Sequence, residues 1–325
     1  MGFELNDRVM GLNVQLQSFM DKHIYPREHD WHEWCLDQDK LWTTPPWYDE
    51  LRALAEAEGL WNLFLPHEYQ PWSPGLTNVE IAPLFETMSK VSWAQSVFNC
   101  NAPDRGNMEV LAKYGTEAQQ KEWLEPLLAG EIRSAYAMTE PQVASSDATN
   151  MELEIKRDGD EYVLNGRKWW TTGAVNPRCK VMLVMGKSNP ENPRLRQHST
   201  ILVPRDTPGS MLVRELRVFD SLHSPAGEAG LLLENVRVPL TNLIVGEGCG
   251  FEIAQGRLGP GRFQYAMGFV GMAQRCLELM CSRVEERVAF GEPLIKKTSV
   301  QHEIARCRCD IEQARLLTLH AAHMM

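Results

Sequence analysis

Hydrophobic positions in the first third of the chain recur every three or four residues. Leu5, Val9, Leu12, Leu16, Phe19 and Met20 line one face of an amphipathic helix. "WYDELRALAEAEGLW" is built from strong helix formers and predicts a helix that stops at Gly59. The same spacing predicts helices over 77–91, 93–113 and 117–130, the last with Thr116 as its N-cap. Near residue 134 the period falls to two. "IKRDGDEYVLNGRKWWTT" carries Asp-Gly and Asn-Gly pairs on either side of the alternating segment 161–164, which predicts a β-meander with two tight turns. "CKVMLVMGK", "HSTILVPRD", "GSMLVREL" and "GLLLENVRVP" predict further strands. From residue 249 helix returns. Phe263, Met267, Val270, Ala273, Leu277, Met280, Val284 and Val288 hold a spacing of three or four, and a second helix covers roughly 300–323. Two long helices cannot bury their faces on each other alone, so the last block reads as an incomplete bundle.

This order predicts an α+β multi-domain chain: a helical domain over 1–135, a central β-barrel or sandwich over 136–248, and a helical-bundle domain over 249–325. A chain of 325 residues can bury more than one core. Its 43% hydrophobic and 23% charged residues are those of an ordinary globular protein. The net charge of −10, from 33 basic and 43 acidic residues, argues against a nucleic-acid partner or a polybasic membrane surface, and leaves room for a local anion pocket. No run approaches the roughly 20 apolar residues of a membrane span. "MGFELNDRVMGLNVQ" has neither a secretion signal nor transit-peptide character.

The eight cysteines form no CxxC pair, so the sequence predicts reduced structural thiols and no zinc ribbon. GxSxG and HExxH are missing. His23, His29 and His32 have no partner at ligand spacing, and no metal site is expected. Gly246-Glu247-Gly248-Cys249-Gly250 lacks the Lys-Ser/Thr ending of a phosphate loop.

Three stretches carry candidate chemistry. In "YAMTEPQVASSDATNM", residues 136–151, a threonine hydroxyl and a serine-rich turn suit a flat heterocycle and a phosphate; the alternative is a surface loop joining two domains. "RKWWTTGA" sets two tryptophans beside two threonines. Adjacent strand residues face opposite ways, so one ring suits a planar ligand and the other suits packing, unless both fill apolar seams. In "RLGPGRFQYAMG", Gly259-Pro260-Gly261 predicts a helix start with Arg262 close behind, a combination that suits an anion. Arg287, in "VEERVAFG", lies at a helix end, where a cation is favourable in any case.

These signals, together with "VPRDTPG", "ENVRVP", "GEGCGFEIAQGRLGPGR", "GMAQRCLEL" and "ERVAFGEPL", resemble in content and order the acyl-CoA dehydrogenase family, and most nearly its branch of family members 10 and 11. The resemblance covers essentially the whole chain. It implies one FAD, α,β-dehydrogenation of a fatty acyl-CoA to the trans-2-enoyl-CoA in β-oxidation, and electron transfer to an electron-transfer flavoprotein. It further implies a homo-oligomer, a dimer or dimer of dimers. The implied compartment is the cytoplasm in a bacterium, and the mitochondrion or peroxisome in a eukaryote. The alternatives are an acyl-CoA oxidase that uses oxygen and a non-catalytic FAD- or acyl-CoA-binding protein.

Carried over by motif, the resemblance sets Tyr136, Met138, Thr139, Trp170, Thr171 and Thr172 against the flavin. Ser145 and Ser146 fall on the FAD diphosphate, and Ser146 also on the acyl-CoA. Arg262 faces the substrate; Arg287, Phe290 and Thr298 reach FAD, the arginine in a neighbouring subunit. The chain departs from the family at Gln142-Val143-Ala144, where Gly-Ala-Gly is usual, and by one extra residue before Asp147. Gly261 stands where some branches carry the catalytic carboxylate, and the usual location lies beyond Met325, so no catalytic base is assigned.

Overall fold

A computed structural model describes residues 6–325; Leu5, which opens the first helical pattern, lies outside them. Helices α1 (Asp7–Phe19), α2 (Glu28–Leu36), α3 (Trp47–Ala57), α4 (Asn78–Met88), α5 (Ala94–Val97), α6 (Asp104–Tyr114), α7 (Glu117–Gln119) and α8 (Glu125–Leu128) come first. Strands β1 (Arg133–Ala137), β2 (Glu154–Asp158), β3 (Glu161–Thr172), β4 (Cys179–Lys187), β5 (His198–Pro204), β6 (Ser210–Leu216) and β7 (Glu228–Pro239) follow. Helix α9 (Gly250–Glu286), the short strands β8 (Val288–Ala289) and β9 (Glu292–Pro293), and α10 (Thr298–Met324) complete the order. The helical, β, helical sequence is the expected fold class. One expected helix, over 93–113, is broken: Asn99 takes φ +53, and the chain restarts as α6 at Asp104.

The chain forms two compact units, each assembled from distant segments. The helical unit takes the N-terminal part up to His29, Asp49–Cys100 and Gly259–Met325. Thr77 caps α4 through a capping box with Glu80. Glu86, on α4, joins two other helices. Its carbonyl oxygen would stand 2.1 Å from a Cβ placed on Gly271 of α9, so the two backbones touch there. Its carboxylate accepts two bonds from Arg315 of α10, at 2.7 and 2.8 Å.

The sheet unit takes Asp30–Tyr48 and Asn101–Leu258. Its seven strands run in the order β1-β4-β2-β3-β7-β6, with β5 on the other edge of β4. Alternate residues of the curled sheet (Ala135, Met182, Val184, Ile201, Leu231 and Leu233 among them) meet in one apolar core. The opposite face, around Met185, packs on Met151, Ala148 and Ala254, the last in the first turns of α9. Thr116 is the N-cap of α7, as its position predicts, in a capping box with Gln119.

The Asn165-Gly166 pair is not a turn, contrary to expectation. Strand β3 runs straight through it, and the register against β7 shifts between Leu164 and Gly166. The bulge there is on β7, where Glu234 and Asn235 together oppose Asn165. Asn165 Oδ1 accepts the Asn235 N–H at 2.8 Å, and a Cβ on Gly166 would come within 2.9 Å of Leu153. The β2–β3 hairpin turns at Gly159, with φ +62, where the Asp158-Gly159 pair predicts it.

Candidate functional site

In the sheet unit, the end of β1 lies beside the second half of β3. The Trp169 N–H donates to the Thr139 carbonyl at 3.0 Å. Next to that bond β3 itself bulges: Lys168 pairs with Leu231 and Thr171 with Ala229, so Trp169 and Trp170 together oppose Gly230. Trp170 takes φ +51, a conformation that costs a non-glycine residue about 1–3 kcal/mol. The bulge interrupts the alternation that would put Trp170 and Thr172 on one face by spacing alone. Trp170 is left 40% exposed, while Thr171 is fully buried. The Trp169 and Trp170 rings lie 5.8 Å apart.

Two buried donors here have no protein partner: the Thr171 hydroxyl and the Trp169 indole N–H. Buried polar groups are almost always hydrogen-bonded, so an orphan pair beside an exposed aromatic ring makes this a candidate ligand site. The Thr172 hydroxyl is already engaged, donating to Glu228 at 2.8 Å. Burial pushes the Glu228 carboxyl up, and the Thr172 bond opposes that shift.

The serine-rich loop follows directly from Thr139. Ser145 Oγ accepts the Glu140 N–H at 2.8 Å, which closes the loop on itself. Ser146 is exposed. Asp147 accepts from the Thr149 hydroxyl and N–H and pairs with Arg194; these bonds, the first above all, hold its carboxyl below the ordinary range. Met138 packs on the Met151 and Met185 cluster. The Tyr136 ring lies 4.1 Å under the Arg257 guanidinium, and burial raises its phenol against the pull of that cation. Arg257 in turn donates to Asn107 at 2.9 Å, Asn107 to Ser134 at 2.9 Å, and Ser134 to Asp104 at 2.7 Å.

The remaining candidates belong to the helical unit. Arg262 is exposed on α9, and the expected helix start is absent: α9 begins at Gly250 and runs unbroken through Pro260. Arg262 therefore lies inside a helix and gains nothing from an N-terminal dipole. Arg287 follows the end of α9, and both it and Thr298, the first residue of α10, are exposed. Phe290 and Gly291 form the two-residue turn of the β8–β9 hairpin, with φ +57 and +85, and the phenyl ring is 96% exposed.

Sequence reasoning missed Lys168 and Glu140. Lys168 is fully buried; its ammonium donates to Glu140 Oε1 at 2.8 Å and to the Met138 carbonyl at 2.7 Å. Burial pulls Lys168 down to about 8, against the upward pull of Glu140. The signal was present. Tyr162, Leu164 and Lys168 share one phase of the strand, so the lysine points inward and needs a partner there.

Among the described residues no helix is long and apolar enough to cross a membrane, and no group of three or more His, Cys, Asp or Glu could hold a metal ion.

Family profiles described as acyl-CoA dehydrogenase N-terminal, middle and C-terminal domains match residues 12–131, 135–224 and 248–325. The chain belongs to the acyl-CoA dehydrogenase family. Its relatives include the probable acyl-CoA dehydrogenase FadE2 of Mycobacterium tuberculosis, 48% identical over 99% of this chain and 78% of that protein. Acyl-CoA dehydrogenase family member 10 of Mus musculus is 50% identical over 99% of this chain, which spans only 30% of that relative. A structure of a putative acyl-CoA dehydrogenase from Mycobacterium abscessus has a TM-score of 0.94 and 47% identity, over 99% of this chain and 80% of that one. A glutaryl-coenzyme A dehydrogenase in complex with glutaryl-CoA has a TM-score of 0.82 and 27% identity, over 99% of this chain and 78% of that one.

Proposed function

We propose that this chain belongs to an FAD-dependent enzyme that oxidises a fatty acyl-CoA to its trans-2-enoyl-CoA and passes the electrons to an electron-transfer flavoprotein. One observation in the sheet unit carries the reading. The Thr171 hydroxyl and the Trp169 indole N–H are buried without partners, beside the exposed Trp170 ring. A flat heterocycle with acceptors along one edge satisfies both donors and covers the ring. FAD is such a group, and when bound it supplies the hydride acceptor.

The residues then divide the work. Trp170 covers the flavin face, and Thr171 donates to its polar edge. Thr172 adds lone pairs only, because its proton is given to Glu228. Met138 and Tyr136 wall the site from the end of β1, next to Thr139. Ser145 is spent closing its own loop, which leaves Ser146 for the diphosphate or the acyl-CoA. Arg262 serves the substrate, Phe290 and Thr298 serve FAD, and Arg287 serves the FAD of a neighbouring subunit in a homo-oligomer. The working compartment is the cytoplasm in a bacterium, and the mitochondrion or peroxisome in a eukaryote.

Reconstitution tests this reading. Apoprotein is incubated with FAD and desalted, then titrated anaerobically with acyl-CoAs of graded length. Retained flavin with acyl-CoA-dependent bleaching supports it, and folded protein that retains none refutes it. Peroxide release without an added acceptor would select the oxidase chemistry.

A further inference from the structure

The Glu140 carboxylate joins the two feet of the serine-rich loop. Its Oε2 accepts the Glu152 N–H at 2.7 Å, and its Oε1 accepts the Leu153 N–H at 2.9 Å. Glu140 itself belongs to the opposite foot, directly after Thr139. Lys168 then ties this closed loop to β3. Its ammonium meets Glu140 Oε1 and the Met138 carbonyl, and the Met151 sulfur lies 3.8 Å away. Both side chains are almost completely buried, at 0% and 3% exposure. The next residue of β3, Trp169, holds Thr139 by its main chain.

A buried ion pair of this kind is a poor source of stability, because removing two charges from water cancels most of their attraction. What it provides here is registry. Glu140 and Lys168 have backbone targets at residues 138, 152 and 153, and those targets fix the loop relative to the tryptophan bulge.

We propose that Lys168 and Glu140 are a positioning pair that sets the serine-rich loop against the Trp169–Trp170 bulge, and that the pair serves flavin binding more than folding. The inference rests on the flavin reading above. In that reading a ligand must meet Ser146 on the loop and Trp170 on the bulge together, so a shift of one against the other misaligns both contacts.

The test compares wild type with the double variant Lys168→Met/Glu140→Gln, which removes both charges and keeps one of the two oxygens that accept the Glu152 and Leu153 amides. Amide hydrogen exchange is followed in the apoproteins, with FAD affinity and the visible flavin spectrum in the reconstituted ones. The expected result is a melting temperature within a few degrees of wild type, at least about tenfold faster exchange over 141–153 with β4 and β5 unchanged, FAD affinity at least about tenfold weaker, and altered flavin band structure. Unchanged exchange over 141–153 would overturn the proposal. So would a loosened loop with FAD affinity within twofold of wild type. If the double variant does not fold, Glu140→Asp keeps the charge pair but shortens its reach; the same exchange and affinity outcomes apply to it. Wild-type protein that binds no FAD defeats the flavin reading instead, and the exchange result still stands for the clamp itself.

Discussion

The Trp169 main-chain N–H donates to the Thr139 main-chain carbonyl at 3.0 Å, so two motifs thirty residues apart become neighbours in the sheet unit. Around that bond gather a strained tryptophan, two unpartnered donors and a buried ion pair. Each of these features has a cost to folding, and a ligand site gives a common reason for retaining them.

The strain at Trp170 separates stability from binding. Trp170→Gly removes a side chain from a φ of +51, where glycine is at ease. Apoprotein stability should stay level or rise by about 1 kcal/mol, while FAD affinity falls at least about tenfold. Trp170→Ala should weaken FAD retention more than Trp169→Ala does. Thermal melts and flavin titrations read both quantities, and equal losses from the two tryptophans would contradict the assignment.

Thr171 and Thr172 should respond differently to replacement by valine. Thr171→Val deletes a buried hydroxyl without a partner, so the apoprotein should gain about 1–2 kcal/mol and FAD affinity should drop about tenfold. Thr172→Val instead deletes the donor to the partly buried Glu228, whose carboxyl then rises further. Apoprotein stability should fall by about 1 kcal/mol. Denaturant melts of the two apoproteins give the comparison.

The Tyr162–Glu247 bond, 2.7 Å long, has a pH window. Its phenol is raised from 10.0 to about 12, first by burial and then by Glu247. The Glu247 carboxyl is lowered from 4.5, chiefly by the Tyr162 bond. A lowered carboxyl stabilises above its ordinary value and loses that contribution as pH falls through the lowered one. A raised phenol stabilises below 10 and loses its contribution as pH climbs toward 12. Tyr162→Phe should therefore cost about 1 kcal/mol near neutrality, and the difference from wild type should vanish toward both extremes. Melting temperatures across pH test this; a difference that is constant with pH would contradict it.

Gly271 is where α9 meets α4 by backbone. A methyl group there would stand 2.1 Å from the Glu86 carbonyl oxygen, so Gly271→Ala should force the helices apart and cost about 1–3 kcal/mol. Gly261, with nothing within 4 Å of a notional Cβ, should accept alanine with a small gain from helix propensity. Paired denaturant curves distinguish the two glycines.

Much of this architecture was legible from periodicity. Strands β4 to β7 fall on the runs that predicted them, and Thr116 caps where its residue type suggests. The failures share a cause: local turn chemistry was overridden by distant pairing. Asn165-Gly166 has the composition of a hairpin turn, yet β2 on one side and β7, bulged opposite Asn165, on the other hold it in a strand. Gly259-Pro260-Gly261 has the composition of a helix start. It is carried inside α9, which buries Ile253 and Ala254 before it and Phe263 and Gln264 after it. At the candidate site, motif content pointed to Trp170 and the threonines but not to the Trp169–Trp170 bulge that precedes Thr171. The Lys168–Glu140 pair was hidden because a charged residue in a strand reads as solvent-facing until its phase is followed from Tyr162.

The most direct test of the account is an equilibrium titration of FAD into the folded apoprotein, followed by the visible flavin spectrum. The account predicts saturation at one FAD per chain, with the midpoint moved at least about tenfold by Trp170→Gly and again by Thr171→Val. Wild-type protein that takes up no FAD, or takes it up with an affinity neither substitution changes, would contradict it.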